Sequence, residues 1–111
     1  MKIKSFISGS VKVVVPEGNI SKTDFRDFKA LLDEFRFIRL FSEVLFDLSE
    51  VQFAGSTLIN LLVSLRNRYP GDYRKIKIIN PNRMIRELFR ITRISDSYAV
   101  FCEEEAVSAV S

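Results

Sequence analysis

Two adjacent hydroxyl side chains, Ser56 and Thr57, stand out among the residues of this sequence that could take part in chemistry. They end a loop, 53–57, whose side chains are mostly small and which comes after a short apolar segment, 44–48. Beyond them, apolar residues recur with helical spacing: Leu58, Ile59, Leu61, Leu62 and Leu65. The pattern predicts a helix that begins near the hydroxyls and ends by Pro70. A phosphate is tolerated there, because a helix N-terminus offers free amide donors. The simpler interpretation makes Ser56 the helix cap.

Other kinds of reactive site are missing from the sequence. There is no histidine, and the four glycines form no phosphate-binding loop. We therefore expect no catalytic activity, no metal and no cofactor. The single cysteine, Cys102, falls in a predicted buried strand and is interpreted as a core residue of a cytoplasmic protein. No apolar run is long enough to span a bilayer, so we expect no membrane insertion.

The order of predicted elements indicates an α/β fold. Strands are predicted at 2–8, 11–15, 44–48, 76–79 and 98–102, the first two joined as a hairpin. Helices are predicted at 22–35, with residues 21–24 as a capping box, at 58–69, and from the Asn80-Pro81 pair onward, where Asn80 caps the helix and Pro81 takes its first position, with a short final helix at 103–110. The predicted apolar face of the helix that starts there comprises Met84, Ile85, Leu88, Phe89 and Ile91. We expect one domain over residues 1–111, with a mixed sheet of four to five strands covered by three to four helices.

The segment from Asp47 to Leu58 resembles the STAS domain family, whose best-known members are anti-sigma factor antagonists. The family pattern is a strand ending Asp-Leu-Ser-x-Val, then Phe-x-Asp-Ser-Ser-Gly at the start of the next helix. The turn at 17–20 and the segment 81–89 are similar to further family motifs, so the resemblance covers most of the chain. Two positions depart from the pattern: Gly55 stands in place of Asp, and Leu58 in place of Gly.

The resemblance implies a protein-interaction switch and not an enzyme. Its partner would be an anti-sigma factor of the serine/threonine-kinase type, acting in transcription regulation. Phosphorylation would fall on Thr57, with Ser56 beside it, and would abolish binding. Gly55 would contribute to the docking surface with these hydroxyls. One alternative is a STAS adaptor that is not phosphorylated and works in a scaffold or transporter-associated complex.

Basic residues are concentrated in the second half of the chain. The segment 58–95 holds nine Lys or Arg and two acidic residues, and the acidic run 103–105 follows. Four arginines are spaced as on one face of the last main helix: Arg83, Arg86, Arg90 and Arg93. The pattern indicates either a solvated face or a basic surface for an acidic partner, with Arg86 and Arg90 as contacts. A nucleic-acid-binding module is the remote alternative.

Two further expectations concern the ends of the predicted helices. The STAS family usually has Gly where this chain has Arg93, so the helix must either end differently or place Arg93 in a strained left-handed conformation. Five apolar residues crowd the link after the first helix: Phe35, Phe37, Ile38, Leu40 and Phe41. They cannot all face one core, so we expect them to pack under a bent connection, with some forming an exposed patch for a partner or a homodimer.

Overall fold

The computed structural model describes residues 1–20 and 25–102. A five-stranded sheet is built from β1 (Lys2–Ser8), β2 (Val11–Glu17), β3 (Glu43–Asp47), β4 (Ile76–Ile79) and β5 (Ala99–Phe101). The strands lie in the order of the sequence. The first two strands are antiparallel, and each later strand is parallel to the one before it. The predicted α/β class and the mixed sheet are confirmed.

Three α-helices connect the parallel strands: α1 (Phe25–Asp33), α2 (Ser56–Arg68) and α3 (Arg83–Ile91). Short 3-10 turns lie at Ile38–Leu40, Tyr73–Lys75 and Ile94–Asp96. The predicted start of the first helix, its capping residues 21–24 and the predicted final helix at 103–110 lie outside the described residues.

All three helices pack against one face of the sheet. Burial alternates along the central strands, and the residues facing the helices are fully buried: Val14, Val44, Phe46, Ile76 and Ile78. They form one core with Leu31 from α1, Leu61 from α2 and Phe89 from α3. The parallel strands follow one another across the sheet in the order of the sequence. Right-handed crossover connections between such strands all pass over the same face of the sheet, so the helices share that face. Residues of the other face, such as Leu45 and Lys77, are only half-buried.

The crowded apolar link after α1 divides between core and surface. Phe35 and Ile38 are buried, and the ring of Phe35 meets Phe46 edge to face at 5.4 Å. Phe37 and Leu40 remain 53% and 76% exposed, and the guanidinium of Arg36 lies over the Phe37 ring. The expectation of a partly exposed patch is confirmed, while its use by a homodimer stays a prediction.

Two sequence predictions about helix boundaries are wrong. We expected Asn80 to cap the last main helix and Pro81 to begin it, but the cap is Asn82 and α3 begins at Arg83. Asn80 instead adopts a left-handed conformation, with φ at 57°. The first helix ends at Asp33, two residues short of Phe35, because the chain there enters a series of tight turns.

Candidate functional site

The loop between β3 and α2 is held firmly at the edge where the parallel strands end. The amide of Gly18 donates to the Glu50 carbonyl at 3.1 Å, and the amide of Ile20 donates to the Phe53 carbonyl at 2.9 Å. Ile20 and Ala54 also form a parallel bridge. These contacts tie the loop to the turn after β2. The backbone before α2 is therefore fixed in position. Phe53, in this loop, remains 49% exposed.

Helix α2 begins with the two hydroxyls, one residue earlier than the simpler interpretation supposed. Its N-cap is Gly55, Ser56 is the first helical residue, and no side chain caps the helix by a hydrogen bond. The interpretation of Ser56 as the cap is therefore wrong. The prediction of a helix beginning at these residues and ending by Pro70 is confirmed, since α2 ends at Arg68.

The two hydroxyl residues differ in their access to solvent. Ser56 is exposed, and Thr57 is half-buried. Leu58, which follows them, is fully buried in the core. The position that is Gly in the STAS pattern is thus an apolar residue here, and it packs the first turn of α2 into the core. The first turn of α2 contains no acidic residue. A phosphate on either hydroxyl would meet the positive end of the helix dipole.

Helix α3 lies beside this loop and is joined to it by Asn82. The Asn82 side chain accepts a hydrogen bond from the Ile85 amide at 2.9 Å, and its amide group donates to the Gln52 carbonyl at 2.8 Å. The first bond satisfies a backbone amide in the first turn of α3. The second bond attaches the loop before Ser56 to Asn82. No sequence pattern singled out Asn82, because an Asn-Pro pair two residues earlier is the stronger helix-start signal.

The predicted arginine stripe is broken in the structure. Arg93 lies beyond the end of α3, and Arg86 is half-buried on its inner flank. The exposed Arg90 pairs with Glu87, and this contact holds the pKa of the Glu87 carboxyl below its usual value. Arg83 is exposed at the first position of the helix. A single solvated face of four arginines is therefore not present.

The apolar face of α3 is also narrower than the sequence pattern indicated. Ile85 and Phe89 are buried, whereas Met84 is 43% and Ile91 is 66% exposed. The helix contacts the core along a narrow stripe. Met84 and Ile91 lie outside this stripe, on the side of the helix away from Arg86. Cys102 is buried, as expected, but it follows β5 and does not lie within it.

Other classes of site receive no support from the described residues. Within 1–20 and 25–102, no group of three or more His, Cys, Asp or Glu side chains is arranged to hold a metal ion. None of the helices in those ranges is both long enough and apolar enough to pass through a bilayer.

Comparison with known proteins bears on the whole chain. A family model described as the STAS domain matches residues 3–107. A search of curated protein sequences gives no significant match.

Among solved structures, an anti-sigma factor antagonist from Mycobacterium paratuberculosis is similar with a TM-score of 0.74 at 19% identity, over 98% of this chain and 92% of that one. The Bacillus cell fate determinant SpoIIAA in its phosphorylated form gives 0.63 at 14% identity, over 99% and 100%. A STAS domain protein from Planctomyces limnophilus gives 0.64 at 20% identity, over 96% of each chain.

Proposed function

Because the chain belongs to the STAS domain family, we propose that it is an anti-sigma factor antagonist. In this role it binds a kinase-type anti-sigma factor in the cytoplasm. The kinase dissociates the complex by phosphorylating the docking surface. The chain itself catalyses nothing. The proposal is supported by the similarity to structures described as anti-sigma factor antagonists, one of which was solved in a phosphorylated form.

The observation that carries the proposal is the position of Ser56 and Thr57 at the first turn of α2, beside a loop fixed by backbone hydrogen bonds. The docking surface comprises Gly55, Ser56 and Thr57, with the exposed Phe53 ring at its margin. Because the side chains at 54–56 are small, a partner backbone can approach the helix start closely. An added phosphate brings about −1.5 to −2 charges into that contact.

We propose Thr57 as the phosphorylated residue, with Ser56 as the second candidate. The family pattern favours Thr57, and solvent exposure favours Ser56. In either case the partner kinase transfers the γ-phosphoryl group of ATP to the hydroxyl oxygen, and the hydroxyl proton leaves. A useful switch requires roughly a hundredfold change in affinity, which is about 3 kcal/mol. Burying an uncompensated phosphate at an interface is sufficient for that.

The test is binding of the purified anti-sigma factor to three variants, with and without ATP. Thr57→Asp should weaken binding, though less than phosphate does, because it adds less charge. Thr57→Ala should bind normally and resist release by ATP. Ser56→Ala should bind normally and cost little stability, because Ser56 is not the cap of α2. Ser5→Asp, which adds the same charge on exposed β1, is the matched control and should bind like the parent.

Mass spectrometry of the ATP-treated complex decides which hydroxyl is modified. If Thr57→Asp binds as tightly as the parent, and no phosphate is found on either residue, the switch does not exist in this chain. The protein would then be a STAS adaptor without phosphorylation. The replacement of the family's Asp by Gly55, and of its Gly by the buried Leu58, would account for that result.

We also assign Arg86 and Arg90 to the basic flank of the docking surface. Reversing the charge of the exposed Arg90 with Arg90→Glu should weaken binding most at low salt, because exposed charges are screened. Arg68→Glu, at the far end of α2, is the control with the same change of charge. An equal effect of the two reversals would show that only net charge matters, and Arg90 would then be removed from the docking surface.

A further inference from the structure

A cleft of about 330 Å³ lies at the carboxyl ends of β3, β4 and β5, apart from the two hydroxyls. The chain segments that follow these strands form its walls, with Ser49 after β3, Asn80 after β4 and Cys102 after β5. The first turns of α3 close the cleft and contribute Arg83 and Arg86. Loops at the ends of rigid strands commonly carry binding residues, because the strands hold these loops in place while the loop residues are free to vary.

The charged side chains in the described lining of the cleft are basic. Two guanidinium groups line it, and no acidic side chain belongs to its described lining. Arg86 is half-buried, so its charge is less screened than that of an exposed arginine. The same residue, with Cys102, also lines an adjoining cavity of about 220 Å³, which reaches Arg90. At the end of β3, the Asp47 carboxylate accepts a hydrogen bond from the Ser49 amide at 2.9 Å.

The backbone at the cleft turns through Asn80. This residue has a φ of 57°, a left-handed value that Asn adopts more readily than most residues other than Gly, and its amide donates to the Phe101 carbonyl at 2.8 Å. This turn takes the chain from β4 to the cap of α3.

From the two arginines, the cavity and its place at the strand ends, we propose that this cleft binds a small ligand carrying an oxyanion. Arg86 and Arg83 contact the oxyanion, since a guanidinium fork matches the oxygens of a phosphate or a carboxylate. Ser49 and Asn80 add polar contacts from the opposite wall. The volume admits a small molecule and falls at the lower end of the range for ligand pockets. The site shares Arg86 with the basic flank of the docking surface but not the two hydroxyls, and it does not depend on the proposed function.

The test is a titration of the isolated 111-residue chain with inorganic phosphate, in which amide chemical shifts are recorded at constant ionic strength with chloride as the balancing anion. Saturable shifts confined to residues around the cleft, such as Ser49, Arg83 and Cys102, are expected. A parallel titration with malonate distinguishes the two sources of an oxyanion, because tighter binding of one assigns a phosphate-bearing or a carboxylate-bearing ligand.

Three variants decide whether the arginines make the site. Arg86→Met keeps the aliphatic stem and should weaken binding of the preferred anion at least roughly tenfold, as should Arg83→Met. Arg68→Met, which removes the same charge from the far end of α2, should leave affinity unchanged. Circular dichroism confirms that each variant is folded. The proposal is overturned if neither anion gives saturable shifts, or if Arg68→Met weakens binding as much as Arg86→Met.

Discussion

The most strained residue in the described chain that is neither Gly nor Asn is Arg93, which ends α3 in a left-handed conformation with φ at 62° and ψ at 20°. Helices commonly end this way, but with glycine, because a β-carbon clashes with the backbone there. Around it the helix end is well bonded, since the Thr92 amide and hydroxyl both donate to the Leu88 carbonyl. The conformation is therefore imposed by the helix end and not by the side chain of Arg93.

Arg93→Gly is expected to raise the free energy of unfolding by about 0.5 to 1 kcal/mol. Removing the clash recovers about 1 to 2 kcal/mol, and the greater freedom of glycine in the unfolded chain returns part of it. Denaturant unfolding measures the change. Asn80→Gly is the comparison, and its gain should be smaller because Asn tolerates the left-handed region. A loss of stability in Arg93→Gly would mean that the arginine side chain makes contacts worth more than the strain.

At the scale of elements, α3 and the loop before α2 form one unit because Asn82 bonds to both. The carboxamide caps α3 through the Ile85 amide and holds the loop through the Gln52 carbonyl. A change at the start of α3 is therefore transmitted to the backbone three residues before Gly55.

Asn82→Ala should lower the free energy of unfolding by about 1 to 2 kcal/mol, because it removes the cap and leaves the Gln52 carbonyl without this donor. Thermal or urea unfolding gives the value. Asn67→Ala, at an exposed position of α2, is the control and should be neutral or slightly stabilising. Hydrogen exchange at residues 52–55 should also speed up in Asn82→Ala. If the two alanine variants behave alike, Asn82 does not connect the elements.

At the scale of the whole molecule, Tyr98 joins the segment before β5 to the middle of α2. It is buried, its hydroxyl donates to the Leu62 carbonyl, and its ring meets Tyr73 edge to face at 5.6 Å. Burial raises the pKa of the Tyr98 hydroxyl well above its ordinary value of 10.0, although the nearby Arg66 acts in the opposite direction.

The pKa of Tyr98 is higher in the folded protein than in the unfolded chain. Its contribution to the free energy of unfolding is therefore complete below about pH 10 and is lost progressively above that pH. The unfolded chain releases the proton first, so the free energy of unfolding should fall by up to about 1.4 kcal/mol per pH unit. Tyr98→Phe should lose about 1 kcal/mol at neutral pH with the hydrogen bond, and should lack this alkaline decline. Urea unfolding from pH 8 to pH 11 measures both. Parallel curves for the parent and Tyr98→Phe would contradict the assignment.

The order and type of the elements follow from the sequence, because each depends on local patterns. A run of β-branched residues indicates β2, and the helical spacing of leucines indicates α2. The small residues beside Ser56 are enough to indicate that α2 starts there. The strand Ile76–Ile79 is predicted with its observed bounds. The family resemblance rests on the same local segment, 47–58, and the family match over 3–107 confirms it.

The placement of all helices on one face, the cap at Asn82 and the cleft beside Arg86 were decided by tertiary structure. Strand order is a long-range property, and it alone turns every crossover to the same side of the sheet. The sequence assigns Arg86 to a surface stripe because its spacing from Arg83 and Arg90 is helical. In the fold Arg86 is half-buried and lines the cleft together with Cys102, the residue after β5, and residues 16 positions apart in the chain meet only once the sheet has formed.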